Sequence, residues 1–247
     1  MQAVERALDV ALIVMQNGGS TVMADRTFKN ILKGYKKDGV SAAWRIDFVA
    51  ASSTAKGRSE TVLRSVGPIG VNLVRASEAA ALGERVAKGE VDTAALVSEV
   101  ERVKALAPPY NHWVMMAAAA CTAAFFSQIP GGDWGALGIA SVAAGIGQFL
   151  RTLLQARKLA VAPVTLVCGV LSTCIAGFGL RLGLSQTAPA ALIASVIYMV
   201  PGLPLINGFV DMVSHQYLFV GLERIANAAF LFLVLAIAIA LAVAVFK

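Results

Sequence analysis

Val200-Pro201-Gly202-Leu203-Pro204-Leu205-Ile206-Asn207-Gly208-Phe209-Val210-Asp211 is the stretch that decides how this chain folds. It packs two prolines and a glycine into four residues, and proline removes a backbone donor and clashes with the preceding helical turn. Yet the stretch closes a charge-free run, 182–210, that is long enough to cross a bilayer. Carbonyls freed by such a break cannot turn to water in hydrocarbon, so it persists only where protein buries it or it lines a cavity. Broken helices with a polar group beside the break are where membrane transporters bind substrates and ions. Pro201, Gly202, Pro204, Asn207 and Asp211 are therefore candidate pathway residues.

The charges around this stretch are very uneven. Residues 1–110 hold 15 basic and 12 acidic side chains, whereas 111–247 hold 6 and 3. Apolar residues make up 57% of the chain and its mean hydropathy is +0.72, beyond the range of an ordinary soluble domain. Charge-free intervals run over 105–132, 134–150, 159–180, 182–210 and 225–246. About five transmembrane helices are expected, near 113–130, 134–152, 160–180, 187–206 and 222–246, each close to the length that spans ~30 Å of hydrocarbon. The fold class is thus an α-helical integral membrane protein: a mostly helical domain over 1–110, then a transmembrane bundle over 111–247 with its break near 201–204.

Lysine and arginine placement sets the orientation. Arg151, Arg157 and Lys158 lie between the second and third expected spans, Arg181 alone follows the third, and no basic residue follows the first. The positive-inside rule then puts the 1–110 domain in the cytoplasm and Lys247 outside. No cleavable signal is expected, because the apolar run 10–15 is short and Glu5, Arg6 and Asp9 precede it. Cys121, Cys168 and Cys174 all fall in expected spans without Cys-x-x-Cys spacing, so they read as packing residues. The net charge of +6 reflects basic loops and gives no nucleic-acid footprint.

The first domain reads as helices at 3–16, 71–88 and 93–106, with another from Ser20 or Thr21 to about Gly34. Between 44–49 and 61–66, two alternating apolar and charged segments flank a polar link, which predicts a small β-hairpin. Ala107-Pro108-Pro109 ends the domain, and Tyr110, His112 and Trp113 suit the headgroup layer. Many glycines and alanines after residue 111 allow close helix packing, as in a bundle.

If helix resumes after the break, Asn207, Asp211 and His215 share a face at i, i+4, i+8. Asp211 is the first candidate for a proton- or ion-coupling carboxylate and Glu223 the second; Arg224 can pair with either or hold a substrate carboxylate. Asp133 is a weaker candidate in the first outer loop. The other reading makes 207–221 a cytoplasmic loop in which these groups sit at the interface. Membrane-anchored enzyme chemistry finds little to work with: residues 1–110 contain no histidine, no cysteine and no Gly-rich phosphate loop. No cofactor and no metal are expected.

The proline-glycine run with Asn207 and Asp211, followed by Gly221-Leu222-Glu223-Arg224 and a long apolar helix, resembles the threonine/serine exporter (ThrE) family, in particular its N-terminal, YjjP-like module. Asn17-Gly18-Gly19-Ser20-Thr21 and Gly70-Val71-Asn72-Leu73 add to the likeness, which covers nearly the whole chain. The resemblance implies secondary export of small metabolites across the inner membrane, with threonine and serine, or a dicarboxylate such as succinate, as substrates. In fused members a module of about four spans follows this one, so the resemblance implies a separate small membrane subunit of about four helices as partner, and an oligomer in the bilayer. Proton-driven export by such a pair is the leading expectation. A scaffold or regulatory subunit, whose partner forms the path, is the alternative.

Overall fold

Ser20 starts the second helix as expected: its hydroxyl accepts the Met23 N–H, satisfying an amide that the helix itself leaves unpaired. The computed structural model describes residues 2–55, 58–157 and 159–246; Lys158, used above to set orientation, and Lys247, placed outside by it, lie outside the described residues. The chain packs as two units, Met1–Pro109 with Gly202–Asn227, and Tyr110–Pro201 with Ala228–Lys247.

The first unit is built on α1 (Gln2–Gln16), which is buried around nearly its whole circumference from Val10 to Met15. α2 (Thr21–Gly34) packs on it through Phe28 and Ile31, and α3 (Leu73–Ala87) and α4 (Leu96–Ala105) through Leu82, Val86, Leu96 and Val103. Gly34 is where α2 meets α3: a Cβ there would lie 2.8 Å from the Val86 carbonyl oxygen. The helical spacing of apolar residues predicted these four elements closely.

The expected hairpin is a three-stranded antiparallel sheet, β1 (Val40–Trp44), β2 (Phe48–Ala55) and β3 (Arg58–Ser65), in the order β1-β2-β3. Arg45-Ile46-Asp47, inside one expected strand, instead turns the chain between β1 and β2, pairing Trp44 with Val49. Ser52 and Ser53, expected in a link, belong to the central strand. Small polar residues favour strands weakly, but β2 is hydrogen-bonded on both sides and buries Val49, Ala51 and Ser53 at period two. Trp44 packs edge-on against Phe28, ring centroids 6.0 Å apart, and its indole N–H donates to Asp25 Oδ1 at 2.9 Å.

The second unit comprises α5 (His112–Gln128), α6 (Trp134–Ala156), α7 (Val161–Arg181), α8 (Ala188–Ala194), a single 3₁₀ turn (Ile197–Met199) and the later part of α10 (Leu218–Val245). Its small residues do what the composition suggests. Gly179 packs against Ile139 and Gly169 against Ala238 and Leu235, where a Cβ would come within 2.9 Å of a neighbour. The cysteines are free thiols, Cys168 fully buried.

Among the described residues, three helices are long and apolar enough to cross a membrane: α6, α7 and α10. α5, with 17 residues, is about 25 Å long at 1.5 Å per residue, short of a ~30 Å core. The span expected at 187–206 is a broken pair, α8 with its 3₁₀ turn and then α9 (Gly202–Val213), and counting it as one crossing makes four. The break is local in origin. Val200, before Pro201, is extended (φ −54°, ψ 126°), the conformation that a following proline imposes. Pro204 does not break anything. It sits in the first turn of α9, where its missing N–H has no partner to lose.

Candidate functional site

α9 belongs to the first unit, and it presents a polar face to it. Its buried residues are Asn207, Gly208 and Asp211, while Ile206, Phe209, Val210 and Val213 are exposed. The glycine makes the approach possible: a Cβ on Gly208 would meet the Gly221 carbonyl oxygen of α10 at 3.1 Å.

Asp211 is fully buried and sits at the N-terminus of α2. Its Oδ1 accepts the Thr21 and Val22 backbone N–H groups at 2.9 and 3.3 Å. Its Oδ2 accepts the Thr21 hydroxyl at 2.8 Å and lies 3.1 Å from Arg224 Nε, whose N–H is not aimed for a hydrogen bond. Amides left open at a helix start, with the positive end of the helix dipole, make a seat for an anion; here the anion is a side chain from 190 residues further along the chain. Arg224 is 4% exposed, and its Nη2 donates to the Gly19 carbonyl and the Thr21 hydroxyl, each at 3.4 Å. Asn207 Nδ2 donates to the Gly18 carbonyl at 2.8 Å.

The structure therefore gathers Asn207, Asp211 and Arg224 on the Gly18-Gly19-Ser20-Thr21 turn. Gly18 has φ +94°, a conformation that side chains strain to adopt. Glu223 points elsewhere: it pairs with Arg45 and accepts the Ile46 N–H at 3.4 Å, tying α10 to the sheet. His215 is not on the Asn207–Asp211 face. α9 stops at Val213 and His215 is exposed at φ +56°, so the eight-residue extension of the helical pattern fails at the helix end. Pro201, Gly202 and Pro204 set where α9 begins and offer no polar contact. A hollow of about 400 Å³ beside this cluster is lined by Val22, Asp25, Arg26, Lys29, Ser214 and Tyr217 among others. Among the described residues, no three His, Cys, Asp or Glu side chains gather as metal ligands would.

Thr21, Gly18, Gly19 and Arg45 were not predicted as site residues. A signal existed for the first three: a glycine-rich turn ahead of a capped helix is an anion-binding shape. Nothing local marks Arg45.

Asp133 works as a clamp at the start of α6. It caps α6 by accepting the Ala136 N–H at 2.7 Å, and accepts the Ser185 hydroxyl at 2.6 Å and the Gln186 N–H at 2.7 Å. These three donors, Ser185 first, hold its carboxyl well below the usual carboxylate range.

The model of the family described as "Putative threonine/serine exporter" (ThrE) matches residues 5–246. The chain belongs to the ThrE family. Among its relatives is the "Probable succinate transporter subunit YjjP" of Klebsiella aerogenes, 24% identical over 225 residues, which cover 91% of this chain and 86% of that protein. The protein of the same description in Escherichia coli (strain K12) is likewise 24% identical over 225 residues, covering 91% and 87%. No solved structure matches the chain. As a ThrE protein with apolar helices of membrane-spanning length, it has a role in membrane transport.

Proposed function

We propose that this ThrE-family chain is one subunit of a secondary exporter of small carboxylate-bearing metabolites, amino acids such as threonine or serine or a dicarboxylate such as succinate. It works in the inner membrane with a second small membrane subunit of about four helices. The relatives described as succinate transporter subunits support the substrate class and the need for a partner. In this reading the first unit keeps its sheet and helices α1–α4 on the cytoplasmic side, and α5 completes the set of about five crossings.

One observation carries the mechanism: the buried Asp211–Arg224 pair, held on the N-terminus of α2 beside the break in an apolar span. Every oxygen of Asp211 is engaged, so the pair is closed to substrate as it stands. A proton arriving at Asp211 removes the charge that Arg224 and the α2 amides hold. The hold on α9 weakens, and Arg224 becomes available to a substrate carboxylate through a two-pronged contact. Loss of the proton restores the closed arrangement. One proton moved through 100 mV is worth about 2.3 kcal/mol, enough for roughly a fortyfold gradient when ~1.4 kcal/mol is tenfold. The apolar outer face of α9 fits the same scheme, with hydrocarbon against Phe209 and Val213 and the polar face satisfied inside the protein.

A scaffold role is the second reading, favoured by the full engagement of Asp211, which is also what a purely structural tie looks like. Efflux of labelled succinate and threonine from preloaded cells, with the chain expressed alone, the partner subunit alone and the two together, tests the proposal. Efflux of either compound only with both subunits is the expected result. Equal efflux by the partner alone makes this chain a scaffold.

A further inference from the structure

Arg151, read above as a residue of the loop after the second span, instead stands inside α6, in the second unit, five residues before the helix ends at Ala156, and its guanidinium turns into the bundle. Its Nη1 donates to the Tyr198 carbonyl at 3.0 Å, a carbonyl of the 3₁₀ turn with which the first arm of the broken span ends. The same tyrosine reaches back with its hydroxyl, 3.1 Å from Ser172 Oγ of α7, and Ser172 donates to the Ala143 carbonyl at 3.1 Å. Gly147 makes room for this: a Cβ there would lie 2.1 Å from Ser172 Oγ and 2.2 Å from the Tyr198 hydroxyl. A polar seam thus crosses three elements of the unit, and Arg151 is its charged member.

That charge has no counterpart nearby. The second unit contains a single acidic residue, Asp133, and its oxygens are taken by Ser185, Gln186 and Ala136. Among the described residues, Arg151 forms no ion pair. A half-buried guanidinium with one hydrogen bond keeps its paired Nε and Nη2 donors for something else, and that edge matches a carboxylate in two parallel hydrogen bonds. An ionisable group inside a membrane segment is a functional-site candidate by default.

We infer that Arg151, held by the Tyr198 carbonyl, is an anion-recognition site of the second unit that takes a carboxylate of the transported metabolite. The inference rests on the transport reading above and adds a substrate-contacting residue to it. The site recognises charge and fork geometry, so succinate and threonine both qualify, and a neutral diamide does not.

The test is ligand-induced thermal stabilisation of the purified full chain in detergent, titrated with succinate, with threonine and with succinamide. Wild type is expected to be stabilised by succinate or threonine and not by succinamide. Arg151→Gln should weaken that response at least about tenfold, the loss typical of a charge-assisted hydrogen-bonded contact. Arg151→Lys, which keeps the charge without the fork, should fall between them, and provides the reading if the glutamine variant does not fold. Tyr198→Phe lowers baseline stability but leaves the carbonyl in place, so its response should stay within about twofold of wild type. Stabilisation by neither carboxylate, or an equal response to succinamide, overturns the site. So does an unchanged response in both Arg151 variants, or stabilisation by phosphatidylglycerol alone, which makes Arg151 a lipid anchor. Because binding is read without transport, efflux that fails while Arg151-dependent binding holds overturns the exporter reading and not this site.

Discussion

Asp211 and Arg224 are buried together with few ways to be rid of their charge, and the consequence is asymmetric. Removing one partner leaves the other uncompensated, so Asp211→Ala or Arg224→Ala should each cost about 3–5 kcal/mol, read as a fall in unfolding temperature. The double variant should cost clearly less than the sum, since its second change removes the orphan charge; strict additivity contradicts the pairing. Asp133 makes a different prediction, in pH. Its hydrogen bonds lower the folded-state value, so the stability it contributes is present above the ordinary carboxylate value of ~3.9 and is lost as pH falls from there toward the lower folded value. Thermal stability of Asp133→Asn should therefore lie below wild type at neutral pH, with the two curves converging in strong acid. A constant offset at all pH values excludes the carboxylate as the cause.

Helices were the legible elements, and their caps show why. Ser20, Asn72, Asn111 and Asp133 each supply the side-chain acceptor at a helix start, and periodic apolar residues do the rest. The central strand was illegible because Ala50, Ala51, Ser52 and Ser53 favour strands only when neighbours on both sides fix them. Asn207 and Asp211 could be named from their spacing, but their partner, the Gly18–Thr21 turn, lies about 190 residues away, where no local pattern reaches. Two predictions belong at this scale. Gly147→Ala should destabilise by about 1–3 kcal/mol through overpacking against Tyr198 and Ser172, seen as a lower unfolding temperature; no change contradicts the packing. For α9, single cysteines at Phe209 and Val213, in a background with Cys121, Cys168 and Cys174 replaced, should resist a membrane-impermeant maleimide applied to inside-out membrane vesicles, while one at exposed Gln216 should react. Equal reaction at all three places α9 in water and removes the hydrocarbon contact.

At the scale of the whole molecule, the chain joins an apolar bundle to a helical and β unit through a proline break, and it places its buried ion pair just after that break. The break and its acidic residue were readable because proline and an ionisable group in an apolar run are each costly, and sequence records such costs plainly. That the pair closes on α2 was not readable, because it depends on how the first unit folds. The measurement that bears most directly on the proposed mechanism compares two modes of the assembled exporter carrying Asp211→Asn, reconstituted in vesicles. Succinate-for-succinate exchange needs no proton, whereas uphill accumulation driven by an imposed proton gradient does. The account predicts that exchange persists while gradient-driven accumulation is lost. Accumulation equal to wild type in the Asp211→Asn assembly would contradict it.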